Sequence, residues 1–150
     1  MHRLRTRLFQ SWFRLSRPMT LGVRGLVINE SGQALLVRHT YTPGWFLPGG
    51  GIEKAEPAIL SLERELVEEA GIVMTGPPAL GGIFSNHPVF PNDHVVFFRV
   101  THWRQEAATS EGEIAEVRWS DPARPPEGTT PGTRRRLAEF VSGETPGAYW

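Results

Sequence analysis

Cysteine is absent from the 150 residues, which removes disulfides, thiolate metal sites and cysteine nucleophiles from consideration. Lysine is nearly absent, with Lys54 alone beside fifteen arginines. Alongside 13 prolines and 16 glycines, that imbalance is a genome-wide compositional habit, and no function is attached to it. Net charge is zero, so no overall field draws the chain to nucleic acid or to an anionic membrane. Long apolar runs are missing too. None approaches the roughly 20 residues that span a bilayer, and a cytoplasmic location is expected. What remains is ordinary for a globular domain: 39% hydrophobic and 21% charged residues, and enough length for one core.

Charge that cancels overall is segregated locally. Residues 1–24 carry Arg3, Arg5, Arg7, Arg14, Arg17 and Arg24 and no acid. Leu4, Leu8, Phe9, Trp12, Phe13 and Leu15 recur at helical spacing. Residues 1–19 are therefore expected to be a basic amphipathic helix, closed by Arg17-Pro18. It would pack on the domain, with a homodimer contact or a membrane-surface helix as alternatives. The opposite imbalance occurs between Gly50 and Ile72, where six glutamates face only Lys54 and Arg64.

Along the chain, Leu21 to Ile28 and Gln33 to His39 have strand character around an Asn29–Gly32 turn, and a hairpin is expected. Trp45-Phe46-Leu47 leads into Pro48 and three glycines. Pro57 suits a first helical position and Gly71 a left-handed cap. Between them Ala58, Ile59, Leu62, Leu66 and Ala70 form an apolar stripe. Strands are expected over Ala79–Phe84, His94–Val100 and Ile114–Trp119, with a polar loop over 105–112. A last helix is expected over Thr133–Val141, with a weakly specified tail over 143–150. That order gives one mixed-sheet α/β domain over residues 20–142, with helices on its faces.

The chemistry lies on the middle helix. Glu65, Glu68 and Glu69 stand at i, i+3 and i+4 and project within about 100° of one another. Ala58 and Leu62 border that sector, so the carboxylates crowd together beside the buried stripe. Like charges at this spacing destabilise a helix, and burial raises their pKa values. A hard cation such as magnesium resolves both conflicts, because it takes oxygen ligands and shares them with substrate phosphates. The glycines ahead of the helix let the backbone approach a metal or phosphate closely.

Gly50, Glu56, Arg64-Glu65-Leu66, Glu68-Glu69 and Gly71-Ile72 occupy every defined position of the Nudix box, which here is GGIEKAEPAILSLERELVEEAGI. The chain thus resembles the Nudix hydrolases, and the preceding GWFLPG and the order of elements are similar as well. The resemblance implies an α/β/α sandwich with a mixed sheet. It implies hydrolysis of a phosphoanhydride in a nucleoside diphosphate linked to another moiety, such as ADP-ribose, a sugar nucleotide or a nucleoside triphosphate. It implies Mg2+ or Mn2+ as cofactor. By that resemblance Glu68 and Glu69 are metal ligands, Glu65 a ligand or the general base, and the Gly49 carbonyl a further ligand. Arg64 holds the carboxylates, and Glu56 fixes loop to helix. An acid outside the box contributes in several members, and Glu113 is preferred over Glu111 and Glu116. Arg38, His39, Trp45 and Gly50 are the candidate substrate contacts, with Phe46 and Phe90 as other aromatic candidates. Pro88 stands about where a proline marks the ADP-ribose-cleaving branch.

Three other functions occur on such a scaffold. A non-catalytic nucleotide-binding domain would usually have lost box glutamates, and this box is intact. An RNA 5′-end pyrophosphohydrolase would need a basic RNA path, for which the N-terminal segment is the candidate. Isopentenyl-diphosphate isomerase chemistry is disfavoured by the missing cysteine. A small nucleotide derivative is the expected partner, with no DNA and no transmembrane segment.

Overall fold

The computed structural model describes residues 10, 12, 14–87, 89–109 and 112–150. Most of the expected N-terminal helix, together with Pro88 and Glu111, lies outside the described residues. Residues 14–16 are helical, and Trp12 and Leu15 are exposed.

Alternating and continuous apolar stretches become strands β1 (Thr20–Val27), β2 (Ala34–His39), β3 (Ile72–Met74), β4 (Ala79–Ser85), β5 (Asp93–Val100), β6 (Trp103–Gln105) and β7 (Ile114–Ser120). Helix α1 (Ala58–Ala70) precedes β3, and α2 (Pro131–Ser142) follows β7. β1 runs parallel to β5, and β5 pairs antiparallel with β4. β2 pairs antiparallel with β7, and β3 with β6.

The expected β1–β2 hairpin does not form. Its turn exists, closed by the Asn29 amide donating to the Gln33 carbonyl at 3.0 Å. But the free edge of β1 is already taken by residues 48–52. Val23 N–H donates to Gly50 O at 2.8 Å, Gly25 N–H to Pro48 O at 2.9 Å, and Ile52 N–H to Leu21 O at 2.9 Å. Every backbone donor needs one partner, so β2 leaves after a single bridge at Ile28–Ala34 and joins β7. The consequence is functional: the glycine segment becomes a sheet-bound strand neighbour held in register over α1.

Two cores cover the two faces of the sheet. Val23, Val27, Val96 and Phe98 pack against Leu62, Leu66 and Ala70 of α1. Leu26, Leu36, Leu47, Phe84 and Phe97 pack against Leu137 of α2. This is the α/β/α sandwich with mixed strand directions. Gly25 lets α1 lie close, since a Cβ there would fall 2.9 Å from Leu62 Cδ1.

Three local expectations are corrected. Pro57 is the extended residue before α1 (φ −65°, ψ 141°), one place earlier than expected. Ile59 is 44% exposed, and Ser61 is buried instead, its hydroxyl donating to Gly51 O at 3.3 Å. The helix is rotated so that its inward face centres near Leu62. Gln105 belongs to β6 and not to a loop, and β3 and β6 are too short for their periodicity to show. Gly71 does adopt the left-handed cap expected of it (φ 63°), its N–H donating to Leu66 O and Val67 O.

The C-terminal tail is tied down rather than fraying. Ser85 N–H donates to Ala148 O at 3.0 Å and Trp150 N–H to Ser85 O at 2.9 Å. The Trp150 ring packs on Phe84 and Phe97. No described helix is long and apolar enough to cross a membrane.

Candidate active site

The end of β2, the glycine segment, α1 and the start of β7 converge on a cleft of about 340 Å³. Its size is at the lower end for small-molecule sites. One wall carries Glu65, Glu68 and Glu69 with Arg64, another Gly49, Gly50 and Gly51, and a third His39, Tyr41 and Phe46. Glu113 completes the lining.

Arg64 organises the acidic wall. Its Nε donates to Glu56 Oε1 at 2.9 Å and its Nη2 to Glu56 Oε2 at 3.1 Å, a bidentate pair that suits the planar guanidinium. Its Nη1 donates to Glu65 Oε1 at 2.7 Å and reaches Glu68 Oε2 at 3.5 Å. The Arg64 bond, with the Glu53 amide donating to the same carboxylate, holds Glu56 down to about 2. Glu56 thus fixes loop to helix and leaves the cleft chemistry to others.

The three box carboxylates are not equivalent. Glu68 is 45% exposed at the mouth. Glu65 is largely buried, and burial raises its pKa against the pull of Arg64. Glu69 is 6% exposed and sits near the middle of the helix's inward face, within about 20° of Leu62 at 100° per residue. Burial pushes it up to about 7, opposed by the Gly49 amide, which donates to its Oε2 at 2.8 Å, and by the charge of Arg24. His39 Nε2 lies 3.5 Å from Glu69 Oε1, and both side chains are buried. Burial first, and Arg24 second, lower the His39 pKa.

Gly49 has φ 141°, and a Cβ there would overlap the Val23 carbonyl. Only glycine fits between β1 and the cleft. At Gly50 a Cβ would fall 2.6 Å from Cδ of Glu65 and 2.8 Å from its Oε2, so the loop backbone and the carboxylate share one surface.

Arg24 was not among the sequence candidates, yet it lines the cleft as a half-buried cation. From β1 it donates through Nη1 to Leu47 O at 2.9 Å and to Gly49 O at 2.8 Å. Burial lowers its pKa, while Glu69 and Glu65 raise it. A single arginine inside the apolar run Leu21–Ile28 was the available signal. Tyr41 was also missed, because a lone aromatic in a loop carries no periodicity.

Three sequence candidates lie elsewhere. Arg38 alternates to the opposite face of β2 from His39, pairs with Glu116 at 2.9 Å, and lies over the Trp45 ring. Trp45 is buried in the second core, with Arg118 on it 4.8 Å from its centroid. Neither lines the cleft. Phe90 lines a separate groove with Arg14, Arg17 and Lys54.

Among the described residues, no three acidic or histidine side chains converge tightly enough to enclose a metal alone. The donor set still fits a hard divalent ion. Glu65 and Glu68 share one guanidinium nitrogen, Glu69 lies beside them, and the glycine backbone adjoins Glu65. Magnesium uses such partial oxygen sets and completes its shell with water and phosphate.

Residues 18–140 match the family model for the NUDIX domain. A Bacillus subtilis (strain 168) protein provisionally named as an 8-oxo-dGTP diphosphatase is 32% identical over 124 residues, spanning 83% of this chain and 81% of that one. An 8-oxo-dGTP diphosphatase of Proteus vulgaris is 37% identical over 70 residues, 45% of this chain and 60% of its own. The crystal structure of a MutT protein from Methanosarcina mazei Go1 superposes with a TM-score of 0.70 at 23% identity, covering 85% of this chain and 96% of that one. Because the domain model takes in both cores and the whole acidic helix, and the Bacillus relative aligns over most of both chains, the chain belongs to the Nudix family, hydrolases of nucleoside diphosphates linked to another moiety.

Proposed function

We propose that the chain is a divalent-metal-dependent pyrophosphohydrolase of a nucleoside triphosphate, giving a nucleoside monophosphate and pyrophosphate. The observation that carries this reading is one cleft lined both by Glu65, Glu68 and Glu69 with the bare backbone of Gly49 to Gly51 and by the rings of His39, Tyr41 and Phe46. Phosphates suit the first group and a nucleoside the second. The names of the Bacillus and Proteus relatives favour a triphosphate over ADP-ribose.

Glu68 and Glu69, with the Gly49 carbonyl, would hold Mg2+ or Mn2+. When bound, the ion supplies positive charge to the phosphates and makes the attacking water more acidic. The protein's own groups do the rest. Arg64 holds Glu65 Oε1, and the Glu65 carboxylate, packed against Gly50, takes the proton of water as the water oxygen attacks phosphorus. The bond to the bridging oxygen breaks, and pyrophosphate leaves. Glu113, on the same cleft, is the second acid available as ligand or base. His39 lies against Glu69 and keeps its carboxylate aimed at the site. Fixed charges that need no rearrangement supply most of the rate.

The test is a chromatographic screen for nucleoside monophosphate and pyrophosphate with Mg2+ or Mn2+ over nucleoside triphosphates, 8-oxo-dGTP, ADP-ribose and sugar nucleotides. Glu68→Gln should lower turnover by about 100-fold or more, with an unchanged far-UV spectrum. Near-normal turnover in that variant would remove Glu68 from the site. Cleavage of ADP-ribose alone would move the substrate to that class.

A further inference from the structure

Tyr41 lines the cleft from the loop that follows β2. The loop is pinned by its neighbour: Thr40 N–H donates to Glu113 O at 2.9 Å, and Thr40 Oγ1 to Gly112 O at 3.0 Å. This places Tyr41 and Glu113 at the same mouth of the cleft. The Tyr41 ring is backed by His39, with centroids 5.2 Å apart and planes tilted by 41°. His39 in turn meets Phe46 edge-on at 5.4 Å. The two rings behind Tyr41 thus make a floor, while Tyr41 itself is 70% exposed.

A ring with one side packed and the other open costs apolar exposure without any gain to the core. It belongs to neither of the two core clusters. It lines the same cavity as the acidic and glycine walls suited to phosphate. A planar, apolar face at that place matches a nucleobase, whose π-face stacks on aromatic side chains whatever its hydrogen-bonding edge. Partial burial and the negative charge of Glu113 also push the Tyr41 phenol up.

We infer that Tyr41 is the stacking platform for the nucleobase and sets the preference of this site for nucleotides over base-free polyphosphates. This rests on the nucleotide reading given above.

The experiment is calorimetric titration of the unsubstituted protein, Tyr41→Ala and Tyr41→Phe with dGMP and with inorganic pyrophosphate, in Mg2+. Tyr41→Ala should weaken dGMP binding about tenfold and leave pyrophosphate binding unchanged. Tyr41→Phe, which keeps the ring, should bind dGMP within about twofold of the parent. Unchanged dGMP affinity in Tyr41→Ala overturns the inference, and so does an equal loss for pyrophosphate, which would mean a disturbed loop. Failure of the parent to bind dGMP also overturns it. Absence of nucleotide hydrolysis by a parent that binds dGMP through Tyr41 would instead sink the hydrolase assignment and leave the platform standing.

Discussion

Nη1 of Arg24 lies 2.8 Å from the carbonyl oxygen of Gly49. The amide of the same glycine donates to Glu69 at 2.8 Å. One residue that cannot carry a side chain therefore links a half-buried cation on β1 to a buried carboxylate on α1. The sheet, the loop and the helix are held at fixed separation by that link, and the acidic and glycine walls of the cleft are built on it.

Arg24→Met should consequently destabilise the protein more than an ordinary surface arginine would. It removes two hydrogen bonds to buried carbonyls and the cation facing Glu69 and Glu65. We expect a loss of about 3 kcal/mol in denaturant unfolding. A midpoint within experimental error of the parent would show that the loop is held by its backbone bonds alone.

Much of this site is written in the sequence, and the parts that are not have physical reasons. Arg64, Glu65, Glu68 and Glu69 meet at one cleft because a helix of fixed pitch leaves little choice, while Gly49 and Glu113, named only from the resemblance, line the same cleft. The burial of Glu69 was also accessible, since it falls seven residues from Leu62 and so on the same helical face. The partner of β2 was not. Local turn chemistry at Asn29–Gly32 favours a hairpin, but the strand edge it needs is claimed by a segment some twenty residues later. Arg38 and His39 adjoin in sequence and face opposite ways in the strand, so only one of them reaches the cleft.

That opposition gives a clean comparison. Arg38→Ala removes an exposed pair with Glu116 and should change stability by less than about 1 kcal/mol, with KM unaltered. His39→Ala removes the group that lies between Glu69, Tyr41 and Phe46, and should lower kcat/KM about tenfold or more. Steady-state kinetics on both variants decides it. A raised KM in Arg38→Ala would show that substrate reaches around the sheet edge.

The pH dependence of stability should carry the signature of Glu56. Its pKa is held near 2 by Arg64 and the Glu53 amide, against an ordinary value of 4.5. A depressed folded-state pKa means that the unfolded chain takes up the proton first as acid is added. The stabilisation is then complete above pH 4.5 and is lost as pH falls through the window towards 2. Glu56→Gln should be less stable than the parent at pH 6 and should lose less on going from pH 5 to pH 3. Parallel acid-unfolding profiles for the two proteins would show that the bidentate pair contributes nothing through ionisation.

Adjacent glycines should fail in different ways when each is replaced by alanine. Gly49 has φ 141° and its new Cβ would press into the backbone carbonyl of Val23, which cannot move without breaking β1. Gly49→Ala should therefore fold poorly. Gly50 lies outside the left-handed region, and the atoms its Cβ would meet are the carboxylate of Glu65, the free end of a flexible side chain. The carboxylate can swing aside at small cost to the fold. But it then leaves the position where Arg64 holds it, and displacement of a reacting group by about 1 Å costs on the order of 100-fold in rate. Gly50→Ala should keep its melting temperature within a few degrees of the parent while turnover falls by that factor. If activity survives in a folded Gly50→Ala protein, Glu65 does not act from the place described, and the proton of the attacking water must go to Glu113.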